Sequence, residues 1–125
     1  MTIQQTHSPL PSPSLFDWLL LLLHRRILIR VTGDSMHPTL SSGDTVFVNP
    51  SAYSTSSPQV GEIVVAHHPY QRNLSIIKRI ADITDERRLV LHSDNPKAGT
   101  DSRSFGTISP NRLIGKVICC VKAET

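Results

Sequence analysis

The chain has 125 residues and a mass of 13.8 kDa, enough for one domain whose core needs neither a metal nor a disulfide to form. Apolar residues make up 38% and aromatics 5%, with nine prolines and six glycines, which predicts a modest aliphatic core in a turn-rich chain and argues against a helical bundle. The formal charge of +3 is spread along the chain rather than gathered in one basic run, so nucleic acid is not an expected partner.

Residues 1–14, MTIQQTHSPLPSPS, are polar with three prolines and are expected to form a disordered leader. Leu15–Leu23, LFDWLLLLL, is the most hydrophobic stretch, but it holds Asp17 and falls well short of the about 20 apolar residues that a spanning helix needs. Lengthening it to Ile29 would bury His24, Arg25 and Arg26. No Lys or Arg precedes it, so it lacks the charge order of a secretory signal, and if inserted its trailing arginines would hold the rest in the cytoplasm. Residues 15–26 are therefore read as a short apolar helix that packs on the domain or on a partner. Shallow, non-spanning membrane contact through Leu15–Leu23 is the alternative. The expected location is cytoplasmic, at most peripheral to a membrane.

From Ile27 onward the signals are those of strands. Ile27–Val31 runs to Gly33; Thr45–Asn49 follows the turn Ser41–Asp44; Glu62–Ala66 follows Pro58–Gly61. Leu74–Ala81 and Arg87–His92 flank a turn at Asp82–Glu86 and read as a hairpin, and Gly115–Val121 is the last strand. Six short strands with little helical periodicity predict a mainly β fold, a small and partly closed β structure. Cys119 and Cys120 are neighbours, with Cα atoms about 3.8 Å apart, below the usual disulfide span of about 4.4–6.8 Å, and no Cys/His spacing suggests zinc. They read as free thiols in the last strand, and no metal site or cofactor is expected.

Three segments carry candidate chemistry. In Val31-Thr32-Gly33-Asp34-Ser35-Met36-His37-Pro38 a strand runs into a Gly, then a Ser, and Pro38 keeps the chain irregular. A hydroxyl on such a bend is either an ordinary turn residue or a nucleophile beside backbone N–H groups of Gly33, Asp34 and Ser35 that would hold an oxyanion. A Ser-His-Asp arrangement is disfavoured, because the surrounding residues are not Gly-x-Ser-x-Gly and no helical pattern follows; the Gly-Asp-Ser start also resembles a family of esterases, but those supply a late Asp-x-x-His and no His follows His92. Lys78 is the better base. Alternation places Leu74, Ile76, Lys78 and Ile80 on one strand face, so the lysine interrupts an aliphatic surface. There it would be desolvated toward the neutral amine a base requires, unless it snorkels from a sheet margin. Lys116 lies on a strand apolar on both faces and discriminates nothing. The third segment, Asp94 to Gly106, is a polar loop in which Asp101 and Arg103 are able to pair; it reads either as solvated or as support for a site.

Taken together, Gly-x-Ser-Met-x-Pro-Thr-Leu, Lys-Arg-Ile, Asp-Asn…Asp-Ser-Arg-x-Phe-Gly and a closing Ile-Gly-Lys-Val resemble the signal peptidase I family, in the family's order, over about residues 31–118. The resemblance implies a signal-peptidase-like (LexA-like) β fold for a protease domain over 27–125, with Ser35 as acylating nucleophile and Lys78 as unprotonated base. Asp94, Asn95, Thr100, Asp101, Ser102 and Arg103 fall in the loop that braces the lysine region. Where some members carry an oxyanion-donating hydroxyl two residues before the nucleophile, this chain has Gly33, as other members do. The Ser that often bonds the base lysine, two before the Asp of Asp-Ser-Arg, is Gly99 here, so Thr100 or another hydroxyl would take its place.

Within the family, the short length and compact loop look most like the nickel-type superoxide dismutase maturation proteases. The implied substrate is then a precursor protein presenting an extended N-terminal peptide. A type I signal peptidase and a catalytically decayed peptide-binding β-module are the alternatives. A self-cleaving repressor-type protease is disfavoured, because the one Ala-Gly pair, Ala98–Gly99, lies downstream of both catalytic candidates.

Overall fold

A computed structural model describes residues 9–98 and 101–123. Helix α1 (Leu15–Leu22) leads into strands β1 (Ile27–Arg30) and β2 (Thr45–Asn49), followed by helix α2 (Ala52–Thr55) and strands β3 (Ile63–His67), β4 (Ser75–Ile83) and β5 (Leu89–His92). Helix α3 (Ser102–Phe105), a 3-10 turn at Pro110–Arg112 and strand β6 (Leu113–Val121) complete the chain. The six strands form one sheet in the order β1-β2-β6-β3-β4-β5, every pair antiparallel. This is the mainly β architecture with a short N-terminal helix that the resemblance implies.

Alternation along the strands gives the sheet two apolar faces. Ile63 and Val65 of β3 join Val46, Val48 and Val117 on one face, where Val31, Met36 and Leu40 from the Ser35 segment also pack. Val64 and Ala66 join Ile80, Leu89 and Leu91 on the other, closed over by Phe105 of α3 and Ile108. Lys78 pairs with Val64 across β3–β4 and therefore belongs to this second face. Gly115 is required where β6 crosses β2, because a Cβ there would lie 2.5 Å from the Asn49 carbonyl oxygen.

Two boundaries differ from expectation. The leader was expected to be disordered through residue 14, yet Leu10 packs against the first core cluster and the Pro11 carbonyl accepts the Cys120 N–H at 3.0 Å. Residues 1–8 lie outside the described part. The apolar helix stops at Leu22 rather than reaching residue 26. His24 adopts a left-handed φ of 60°, and the N–H groups of His24 and Arg25 turn back to the carbonyls of Leu21 and Leu20, a Schellman-type C-cap. Its start is fixed by a capping box: Ser14 Oγ accepts the Asp17 N–H while Asp17 Oδ2 accepts the Ser14 N–H. That explains an aspartate inside an otherwise apolar run. Cys119 and Cys120 are buried free thiols, and alternation sends them to opposite faces.

Candidate active site

Lys78 is only 4% exposed, and its Nζ donates to Ser93 Oγ at 3.1 Å, a hydroxyl that is itself buried. Burial lowers the ammonium's pKa below its usual value, with the Asp101 carboxylate opposing part of that fall. The β4–β5 register explains the pairing. Arg79 faces His92 and Ile80 faces Leu91, so the next step along the same register sets Ser93 opposite Lys78.

Ser93 is followed by residues that reach across to the Ser35 segment. The Asn95 N–H donates to the Ser35 carbonyl at 2.8 Å, and Asn95 Nδ2 to the Asp34 carbonyl at 3.1 Å. Asp94 accepts both Nε and Nη2 of Arg79, at 2.9 and 2.8 Å, and the Thr39 hydroxyl at 2.6 Å. Arg79 also donates through Nη1 to the Gly61 carbonyl. Residues 93–95 thus hold three things at once: the amine of Lys78, the guanidinium of its neighbour, and the loop that carries Ser35. Gly33 in that loop adopts φ +81°, a conformation open to glycine and strained for other residues. Ser35 itself is half-buried, between exposed Asp34 and buried Met36.

The segment after residue 100 closes the free edge of β5. Asp101 Oδ2 accepts the Ser93 N–H at 2.9 Å, Ser102 Oγ accepts the Leu91 N–H at 2.8 Å, and Leu89 exchanges two backbone hydrogen bonds with Ile108. Alternate N–H groups of the edge strand are satisfied in this way. Asp101 in turn accepts Arg103 Nε and the Arg103 N–H at Oδ1, and Nη2 at Oδ2. Burial alone would raise the Asp101 pKa, but these donors prevail and hold its carboxyl well below the usual range. An open cleft of about 1000 Å³ runs beside the Thr39–Asp94–Arg79 contacts and includes neither Ser35 nor Lys78 in its walls.

Of the residues singled out from sequence, Lys78, Asp94, Asn95, Asp101, Ser102 and Arg103 gather around β5 and the residues that follow it, and Ser35 and Asp34 are tied to Asn95 through their backbone carbonyls. Gly99 and Thr100 lie outside the described residues. Sequence reasoning missed Ser93, Thr39 and Arg79. The hairpin register held the signal for Ser93, once the pairing of residues 79 and 92 is known.

The chain belongs to the Peptidase S24-like family, which matches residues 6–118. It is 34% identical over 94 residues to a probable signal peptidase I-1 of Synechocystis sp., covering 59% of this chain and 48% of that protein. It is 44% identical over 50 residues to a signal peptidase I of Aquifex aeolicus, covering 40% of this chain and 20% of that protein. With mitochondrial inner membrane protease subunit 1 of Homo sapiens the identity is 26% over 109 residues, covering 72% and 66%. The chain thus spans about half or less of the two bacterial relatives and just under two-thirds of the mitochondrial one. The family and these relatives support a signal-peptidase-like family for the chain.

Proposed function

We propose that this protein is a serine endopeptidase in which Ser35 is the nucleophile and Lys78 the general base, and that it removes an N-terminal extension from a precursor protein. The observation that carries the reading is the buried Lys78 amine, held by one neutral hydroxyl and disfavoured as an ammonium, with the residue two beyond that hydroxyl, Asn95, bonded to the backbone of the bend that carries Ser35. Neutral Lys78 takes the Ser35 proton as Oγ bonds to the scissile carbonyl carbon, and backbone N–H groups at the bend, Ser35's among them, receive the oxyanion. Lys78 then gives that proton to the leaving amine as the C–N bond breaks. Water attacks the acyl ester, its proton passes to Lys78, and Ser35 leaves with that proton restored.

The substrate we favour is a nickel superoxide dismutase precursor, processed in the cytoplasm. The names of the relatives favour a second reading, cleavage of signal peptides. Coexpression with the precursor, followed by its intact mass, separates the two. Loss of the extension with the intact enzyme and not with Ser35→Ala supports both chemistry and substrate. An unchanged precursor with Ser35 labelled by an acylating probe keeps the peptidase and moves the substrate to signal peptides. Neither cleavage nor labelling leaves a peptide-binding module. Lys78→Ala and Lys78→Arg should both be inactive, because a guanidinium is not a base near neutral pH; substantial turnover by either sinks the dyad.

A further inference from the structure

Two lysines stand level with each other across β3. Val64 pairs with Lys78 on β4 and with Lys116 on β6, so both side chains start from the second face of the sheet. The fold gives them different partners. Lys116 is half-buried, and its Nζ meets the Glu62 carboxylate at 2.9 Å, the usual partner of an ammonium. Lys78 is buried, and its Nζ meets a neutral hydroxyl, Ser93 Oγ, at 3.1 Å, its one hydrogen-bond partner among the described residues. A carboxylate in that place would favour the charged form, whereas a hydroxyl orients the nitrogen without adding a charge. We infer that Ser93 is the positioning residue for Lys78, accepting one Nζ–H bond and so aiming the amine lone pair. This role rests on the Ser35/Lys78 reading of the site.

A positioning group must itself be fixed. The Ser93 N–H donates to Asp101 Oδ2 at 2.9 Å, and two residues further on Asn95 holds the carbonyls of Ser35 and Asp34. The hydroxyl on Lys78 and the bend that carries Ser35 are thus anchored to the same short segment. Neutral Nζ has two N–H bonds and one lone pair, and with neither N–H held, rotation about the Cε–Nζ bond turns the lone pair away as often as toward a substrate-side proton. One bond to Ser93 restricts that rotation, which is the orientation a proton transfer from a serine requires.

The other charged and titratable groups on this face are engaged elsewhere. Glu62 takes Lys116, Tyr53 and the Gln59 N–H. His68 packs on Phe105 and accepts the Tyr70 and Gln71 N–H groups at Nδ1. Asp101, whose charge reaches Lys78, is paired with Arg103 as well as bonded to the Ser93 N–H.

Ser93→Ala removes the hydroxyl and leaves the backbone bond to Asp101, so the edge of β5 stays closed. Two readouts follow Lys78 itself. One is the rate at which a p-nitrophenyl ester acylates Ser35, measured against pH; the other is the NMR titration of the lysine Nζ resonance that disappears in Lys78→Met. In Ser93→Ala the maximal acylation rate should fall about tenfold or more with the half-saturating ester concentration unchanged, since a misdirected base slows only the chemical step. The midpoint of the acid limb and that of the Nζ titration should both move down, because the lost bond favoured the ammonium, the stronger donor. Ser93→Thr keeps the hydroxyl and should restore the rate and both midpoints. Unchanged rate and midpoints in Ser93→Ala overturn the positioning role while the dyad stands, and so does a loss that Thr100→Val shows in its place. A rate lowered equally at every pH, with both midpoints unmoved, also overturns it, because Ser93 would then be structural only. Acylation of Ser35 at the parent's rate in Lys78→Met, or none in the parent, overturns the dyad first and this role with it.

Discussion

Lys78 sets function against stability at a single position. Its ammonium is desolvated by the second core face, and one neutral hydroxyl does not replace the lost water. Because its folded pKa lies below the unfolded value of about 10.4, the unfolded chain binds more protons across that interval, and stability rises with pH through it. The destabilisation is therefore greatest below the folded pKa and fades toward pH 10. Lys78→Met keeps the length and removes the charge, so it should raise stability at pH 7 by about 1–2 kcal/mol, or roughly 4–8 °C in Tm, while abolishing turnover. Thermal melts of both proteins at pH 6, 7 and 10 check this. The gap must narrow at the alkaline end; a variant that melts below the parent at pH 7 would show the ammonium to be well accommodated.

The strap over residues 93–95 joins elements distant in sequence, and its strength rests on Asp94. With Arg79 and Asp94 both largely buried, removing one partner leaves a charge without compensation. Asp94→Ala should cost about 3–5 kcal/mol by denaturant titration and should also free Thr39, loosening the Ser35 loop. A loss below about 1 kcal/mol, the range of exposed pairs, would mean that the fork contributes little. How far such elements were legible follows from their periodicity. The six strands were readable because each alternates or runs apolar between turn residues, although β4 continues past a bulge at Ile80/Asp82 to Ile83. Helices α2 and α3 were not, because four residues carry no helical period. Helix α3 forms where Asp101 caps the Arg103 N–H, a contact that reads from sequence only as loop polarity. Ser93 was illegible for another reason: a one-residue slip of the hairpin would turn it away from Lys78, and only the observed register excludes that.

Across the whole molecule, carboxylates tie together segments that the sheet alone does not. Asp44 accepts the Ser41 and Ala123 N–H groups and the Lys122 ammonium, fastening the turn after the Ser35 loop to the end of β6. Glu62 accepts Tyr53, the Gln59 N–H and Lys116, joining α2 and β3 to β6. In both, burial pushes the pKa up but the donors prevail and lower it, as at Asp101. A carboxyl lowered on folding stabilises above its unfolded pKa of about 4, and that contribution disappears as pH falls through the folded value. On the alkaline side burial pushes the Cys119 thiol up to about 11 and raises Cys120 and Tyr53 as well. There the unfolded chain loses protons first, from about pH 8.5, and stability declines. These three groups oppose the gain from Lys78 and outnumber it. The fold should be most stable between about pH 5 and 8, with Tm falling on both sides. Asp44→Asn isolates the acid limb: its melting temperature should lie below the parent's at pH 7, and the two should converge as pH drops below 3. A constant offset down to pH 2 would mean that the Asp44 links stabilise through packing and not through charge.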